Sequence, residues 1–358
     1  MSATMRSGDE AATSKKFLQA RSLHRQFPDA MRMTEEDISR GRDADTPSAI
    51  PAQGLKDVGW RIWKSVTEDH VMLIAGGVTF YLLLALFPAL VAFLSIYGIF
   101  LDPGTAVDQA QTLRGLVPPA AVDMIAEQLA RLTSKPSETL TLGLVVSLLV
   151  SFWSANGGVK AMIEGLNYAY NEKEKRSFLR LNIVALAFTL GIMALAVLLF
   201  VILAVVPAVL AVLNLGSAAD VVLRLVRWPL LVAMLGFALS VLYRHGPSRR
   251  SPEWRWVTWG SAFATVSWLI VSIGFTTYLD RLANFNATYG ALAAPIGFLF
   301  WVWLSMIVII LGGEINGELE HQTARDTTTG PDRPMGKRGA VMADTLGEPA
   351  RKPQEGSP

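Results

Sequence analysis

The sequence predicts an all-α fold: an integral membrane bundle of six transmembrane helices with amphipathic interfacial helices. Three observations carry this. First, 51% of the 358 residues are hydrophobic and only 17% are charged, against about 25% charged in a soluble chain. Second, the charge deficit is regional. Residues 1–55 hold 16 charges and residues 321–358 hold 11, which leaves 35 for the 265 residues between them. Third, that middle contains six apolar stretches, each reaching the roughly 20 residues that a bilayer core demands of a helix.

The stretches are Val71–Leu101, Thr139–Ala161, Asn182–Leu213, Val221–Tyr243, Val257–Leu279 and Ala291–Gly313. Their 155 residues include three charges, Lys160, Arg224 and Arg227. The first and third are longer than a bilayer core is thick. They tilt, protrude, or break at Pro88 and Pro207. Loop charges set the orientation. Lys56, Arg61 and Lys64 precede the first span, Lys173, Lys175, Arg176 and Arg180 fill the second loop, and Arg244, Arg249, Arg250 and Arg255 the fourth. The third loop has no base and the fifth only Arg281. This alternation places both termini in the cytoplasm.

Two segments outside the spans carry helical periodicity. Leu55, Val58, Ile62, Trp63 and Val66 form a stripe just before the first span. It reads as an amphipathic helix on the inner leaflet, or as the basic lead-in of the first span, or both. In the first outer loop, Val122, Ile125, Leu129 and Leu132 predict a short helix lying on the outer face. The remainder divides into a disordered N-terminal tail, 1–54, a membrane domain, 55–320, and a disordered C-terminal tail, 321–358, because both tails are polar and poor in large apolar residues.

Enzyme motifs are missing from the sequence. Four isolated histidines, His24, His70, His245 and His321, make no HxH or HxxxH metal site, and no phosphate loop or GxSxG elbow occurs. Zero cysteines exclude thiol chemistry, and a net charge of +2 gives no reason to expect nucleic acid. No catalytic residue, cofactor or metal is expected.

The polar residues at the membrane are the candidate site. Asn156, Lys160, Glu164 and Asn167 form a stripe at the inner end of the second span. It reads either as a face that handles protons or headgroups, or as an i,i+4 Lys160–Glu164 ion pair. Gly157, Ala161 and Gly165 make a small-residue seam beside it, suited to close helix packing or oligomerisation. Arg224 and Arg227 share a face at the outer end of the fourth span, for an anionic headgroup or for snorkelling. Glu314 and Asn316 follow the last span, where Glu314 is expected to pair with Lys160 or a loop arginine.

Several segments in order resemble the YihY/BrkB family of bacterial inner-membrane proteins. They are Gly76-Gly77-Val78-Thr79-Phe80-Tyr81 with Leu86-Phe87-Pro88, then Trp153-Ser154-Ala155-Asn156-Gly157-Gly158 with Glu164-Gly165-Leu166-Asn167-Tyr168-Ala169-Tyr170. Asn286-Ala287-Thr288-Tyr289-Gly290, Trp301-Val302-Trp303 and Gly312-Gly313-Glu314-Ile315-Asn316 complete the set. The resemblance runs from about Gly59 to Glu320. It implies a multi-pass inner-membrane protein. Some family members were labelled virulence factors and others, mistakenly, ribonuclease BN, and relatives are connected with envelope lipid or lipopolysaccharide export. It supplies no catalytic set. The expected function is a transporter or flippase-like factor for lipid or another amphipathic envelope molecule, with membrane lipids, anionic lipid or a lipopolysaccharide precursor as partners. The alternative is a non-transporting scaffold of envelope assembly.

Overall fold

A computed structural model describes residues 33–100, 140–202, 217–281 and 292–350, and six positions between 119 and 130. Six long helices coincide with the six apolar stretches. They are α3 (Val71–Phe100), α4 (Leu140–Ala169), α5 (Phe178–Phe200), α6 (Ser217–His245), α7 (Trp254–Arg281) and α8 (Ala293–Glu320). The interfacial helix α2 (Ala52–Glu68) precedes them, and short helices α1 (Glu35–Ser39) and α9 (Val341–Asp344) lie in the tails. Four segments among the described residues are long and apolar enough to cross a membrane: Phe178–Leu199, Trp228–His245, Trp254–Leu279 and Ala293–Glu320. A fifth is added if Ala52–Glu68 and Val71–Leu86, bent by 59°, act as one. The chain is a helical membrane bundle. Its outer surface agrees, since α5, α6 and α7 turn Val197, Phe237 and Ile270 outward, each more than 60% exposed. Water would not tolerate so much contiguous apolar surface.

The break between α2 and α3 falls at Asp69 and His70, where His70 adopts a left-handed φ of 50°. Beyond it α3 runs unbroken through Pro88, so its excess length is not relieved by a break there. Pro207 lies outside the described residues. The outer-loop helix is described only in part: Val122 and Ala126 are helical and buried, while Ile125, Leu129 and Leu132 lie outside the description.

α8 is the hub. It packs on α2, α3, α4, α7 and α9, whereas α5 leans mainly on α4. Small residues permit the close crossings. A Cβ on Gly157 would stand 2.9 Å from the Tyr81 ring, and one on Gly165 would stand 2.8 Å from Ile74. The Gly157–Gly165 seam therefore faces α3 inside the chain. A second seam, between α7 and α8, is tighter still: a Cβ on Gly260 would lie 2.0 Å from the Gly312 carbonyl oxygen. Side-chain hydrogen bonds cross the same layers. Trp268 Nε1 donates to Ser305 Oγ and Trp301 Nε1 to Ser272 Oγ, both at 3.0 Å. Tyr243 donates to the Ile309 carbonyl at 2.7 Å.

The tails depart from the expectation of disorder. Residues 33–50 and 321–350 pack against each other and against one end of the bundle. Thr34 closes a capping box on α1. Arg42 donates to the carbonyls of Gln322 and Gly347, and Arg338 to those of Ala324, Arg325 and Ala343. The Val341 amide donates to Glu172 at 2.7 Å, and that of Ala350 to Asp57 at 2.9 Å. The reason the expectation failed is physical. This cap is held by arginines saturating backbone carbonyls and by small residues such as Ala44, Ala324 and Ala343. A reading that counts large apolar residues sees neither.

Gly312→Val should therefore cost about 1–3 kcal/mol through overpacking, read as a lower unfolding midpoint in detergent. Gly59→Ala, with open space around its Cβ, should hold or raise that midpoint by helix propensity.

Candidate functional site

The polar residues gather at the tail-bearing end of the bundle. There α8 ends in Gly312-Gly313-Glu314-Ile315-Asn316-Gly317-Glu318-Leu319-Glu320, nearly all of it buried. Three carboxylates on one buried helix end demand partners. Glu320 receives both Nη atoms of Arg249, from the α6–α7 loop, at 2.6 and 3.1 Å, with both side chains fully buried. Thr327 donates to it as well, and the Arg249 guanidinium lies 4.1 Å over the Tyr170 ring. Glu318 is ion-paired with Arg61 of α2, and His321 lies 3.6 Å from it. Arg61 also donates to Gln322 Oε1 at 2.9 Å. The protein-facing side of α2 is mixed: Asp57 and Arg61 are buried beside Val58, which packs with Ile62 against Trp256 and Leu319, while Leu55, Trp60 and Trp63 face outward. The predicted helix exists, with Lys56, Lys64 and Glu68 exposed and only Asp57 and Arg61 of its charges pointing into the protein.

Glu314 is different. It is fully buried, and no N–H or hydroxyl donates to either carboxylate oxygen. The expected pairing with Lys160 or a loop arginine does not occur among the described residues. Its neighbour is another acid, Asp69, at the α2–α3 break. Burial pushes the Asp69 carboxyl above the usual range; a hydrogen bond with Glu314 opposes this, and Glu68 and Glu318 add to it. Asn316 is structural: its Oδ1 accepts from the Gly260 amide at 2.7 Å, and its Nδ2 donates to the Val257 carbonyl at 3.2 Å.

The α4 stripe splits in two. α4 continues to Ala169, so Lys160 lies about 13 Å before the helix end rather than at it. Its Nζ donates to Asn182 Oδ1 of α5 at 2.9 Å, and Asn156 Nδ2 donates to the same oxygen at 3.3 Å. Asn156 Oδ1 is buried with no partner. Glu164 is exposed on the surface, and no Lys160–Glu164 ion pair is present among the described residues. Asn167 belongs to the loops, accepting from the Ser248 amide at 2.7 Å and donating to Glu174 at 3.1 Å. The backbones of Arg224 and Arg227 lie in α6, and their side chains fall outside the described residues. Sequence reading missed Asp69, Asn182 and the buried roles of Arg61 and Arg249. The two arginines stood in plain view, but as orientation charges. Asn182 carried a faint signal, an amide opening an apolar stretch.

The model of the family described as virulence factor BrkB matches residues 62–336. The chain belongs to the BrkB family. A Bacillus subtilis (strain 168) relative, named ribonuclease-like protein YfkH, is 31% identical over 67% of this chain and 86% of its own length. UPF0761 membrane proteins of Vibrio atlanticus (27% identical; 72% of this chain, 80% of theirs) and Cronobacter sakazakii (28%; 71% and 85%) are similar too. No solved structure matches. The Vibrio and Cronobacter relatives of this BrkB chain are thus named as membrane proteins, and the nuclease-like name is that of the Bacillus relative. Among the described residues of this BrkB chain, no three His, Asp or Glu side chains are grouped as a metal ion would need.

Arg249→Ala should destabilise the folded protein by about 3–5 kcal/mol, because it strands Glu320 in the interior; a thermal or denaturant melt in detergent checks it. A pH effect belongs to Glu174, outside the membrane segments. Burial would raise its carboxyl, but hydrogen bonds from Arg176 and Asn167 outweigh this and hold it down to about 2. A depressed folded-state value means stability that is present above the ordinary carboxylate value and lost as pH falls towards 2. Arg176→Met should shrink that acid-side loss in a melt series.

Proposed function

We propose that this BrkB-family chain is a multi-pass protein of the bacterial inner membrane that moves lipid or another amphipathic envelope molecule, as a transporter or flippase-like factor. In this reading all six long helices cross the bilayer and both termini are cytoplasmic, as the loop bases require. The ribonuclease label has no place in it.

One observation carries the reading: the Lys160–Asn182–Asn156 cluster at the α4–α5 seam. Lys160 is half-buried at the inner end of the second apolar stretch, and its partner is a neutral amide shared with Asn156. A lysine at the bilayer centre costs about 2.5–3.5 kcal/mol on insertion scales, so intramembrane charges mark substrate or ion paths. α5 presents a broad apolar flank to lipid, with Phe178, Leu179 and Ile183 each more than half exposed. An ammonium beside that flank can meet an anionic headgroup without leaving the membrane interface. Asn156 Oδ1 supplies an unused acceptor for a headgroup hydroxyl or amine. A static scaffold is the second reading, and the dense ion-pair network at the tail-bearing end favours it.

Transbilayer movement of a fluorescent anionic lipid in proteoliposomes separates the two. The wild type should exceed empty vesicles, and Lys160→Ala should slow movement by about tenfold, the loss of one charge-assisted contact. Movement no faster than in empty vesicles defeats transport and leaves the scaffold.

A further inference from the structure

The buried acid of α8 has no task in the packing described above. Three carboxylates, Glu314, Glu318 and Glu320, enter the interior at one helix end. Glu320 is neutralised by Arg249 and Glu318 by Arg61. Glu314 has no base among the described residues, no donor on either oxygen, and no solvent exposure. The group within hydrogen-bond reach is the half-buried carboxyl of Asp69. Two ionised carboxylates have no hydrogen to place between them and repel each other. The juxtaposition makes sense only with a proton held in common.

We propose that Asp69 and Glu314 form a proton-binding site that joins the α2–α3 corner to the end of α8. The ligand is a single proton shared between the two carboxyls. The other groups around it are committed or neutral. From α2 and the break come Arg61, already on Glu318, and Glu68 and His70, which act on Asp69. From the end of α4 comes the Tyr170 phenol, covered by Arg249. From α6 comes Tyr243, whose hydroxyl donates to Ile309. On α8 itself stand Glu318 and, just beyond the helix, His321. At this level α7 offers the Gly260 and Val257 backbone, held by Asn316.

The position gives the proton leverage. Asp69 sits at the 59° bend between an interfacial helix and a candidate span, next to a left-handed His70. With the proton, the acid pair ties the corner to α8. Without it, two like charges face each other in a poorly hydrated joint, and the corner is pushed away from α8. Charge state thereby sets the contact between the membrane-surface helix and the hub helix. This site stands whether or not the chain moves lipid.

Infrared spectroscopy on the full-length protein in nanodiscs tests it. The wild type should show a protonated-carboxyl stretching band at neutral pH, and Glu314→Gln and Asp69→Asn should each remove it. Melting provides the second readout. Burial holds the Asp69 carboxyl above the ordinary carboxylate range, which means stability present below that range and lost as pH rises, so the wild-type midpoint should fall from mildly acidic to alkaline pH. In Glu314→Gln, which keeps an amide donor towards Asp69, that slope should flatten. A band unchanged in both variants, or a wild-type slope in both, overturns the proposal. A band that disappears when sodium replaces choline also overturns it, because the pair would then hold a metal cation in place of a proton.

Discussion

A bilayer offers no water to an ionised group, and the end of α8 carries three carboxylates into a buried position. That constraint organises the tail-bearing half of the molecule. Glu320 requires Arg249, which pins the α6–α7 loop over Tyr170 at the end of α4. Glu318 requires Arg61, which turns that arginine's face of α2, with Asp57 and Val58, inward and leaves Trp60 and Trp63 outside. Breaking either pair strands a charge, a far larger penalty than the pair's own net contribution. The arginines are therefore less a source of stability than a condition for burying α8 at all.

The cap follows from the same economy of polar groups. Once α2 and the α6–α7 loop are fixed, their carbonyls and amides remain to be satisfied. Residues 321–350 supply partners: the Thr327 carbonyl accepts from Glu253 N at 2.9 Å and the Gly339 carbonyl from Arg250 N at 3.0 Å. Residues 33–50 add Arg40 on Asp57 at 2.7 Å and the Arg42 fork. Each tail alone lacks the apolar area to fold. Residues 33–50 and 321–350 pack on that polar surface and on each other.

This explains which parts were legible beforehand. The places of the long helices were legible, each overlapping one apolar stretch, because apolar length is a one-dimensional property that the bilayer imposes directly; the polar inner ends of α4 and α8, which run on to Ala169 and Glu320, were not. The Gly157–Gly165 seam was legible for the same reason, since a repeat of small residues marks a close approach wherever it occurs. Partner choice was not. Glu314 was expected to find Lys160, one residue of opposite sign at a similar depth, yet Lys160 turned to Asn182 on the helix that follows α4. Which acid meets which base depends on helix rotation, and apolar stretches carry almost no rotational information. α8 is apolar nearly all round, so periodicity could not say that Glu314 faces the α2–α3 corner.

Which buried polar atoms are bonded and which are left without a partner bears on function. Asn316, Asn167, Arg61, Arg249 and Arg338 are all bonded to backbone or to opposite charge, and each has a structural duty visible in its partners. Asn156 Oδ1 and both oxygens of Glu314 lack one; so do the Tyr170 hydroxyl, His321 Nδ1 and single nitrogens of Arg249, Arg250 and Arg325, but those side chains stand among the ion pairs and carbonyls of the cap. An unmade hydrogen bond at a buried group costs about 1–3 kcal/mol, and a fold with arginines to spare in its cap had chemistry available to avoid that cost. Sites that keep it are where a ligand, a proton or a second conformation completes the bonding. Asn156 and Glu314 occupy two separate helix contacts, α4 with α5 and α8 with the α2–α3 corner. A headgroup contact on one side and a charge-sensitive joint on the other can then act as distinct parts of one membrane device.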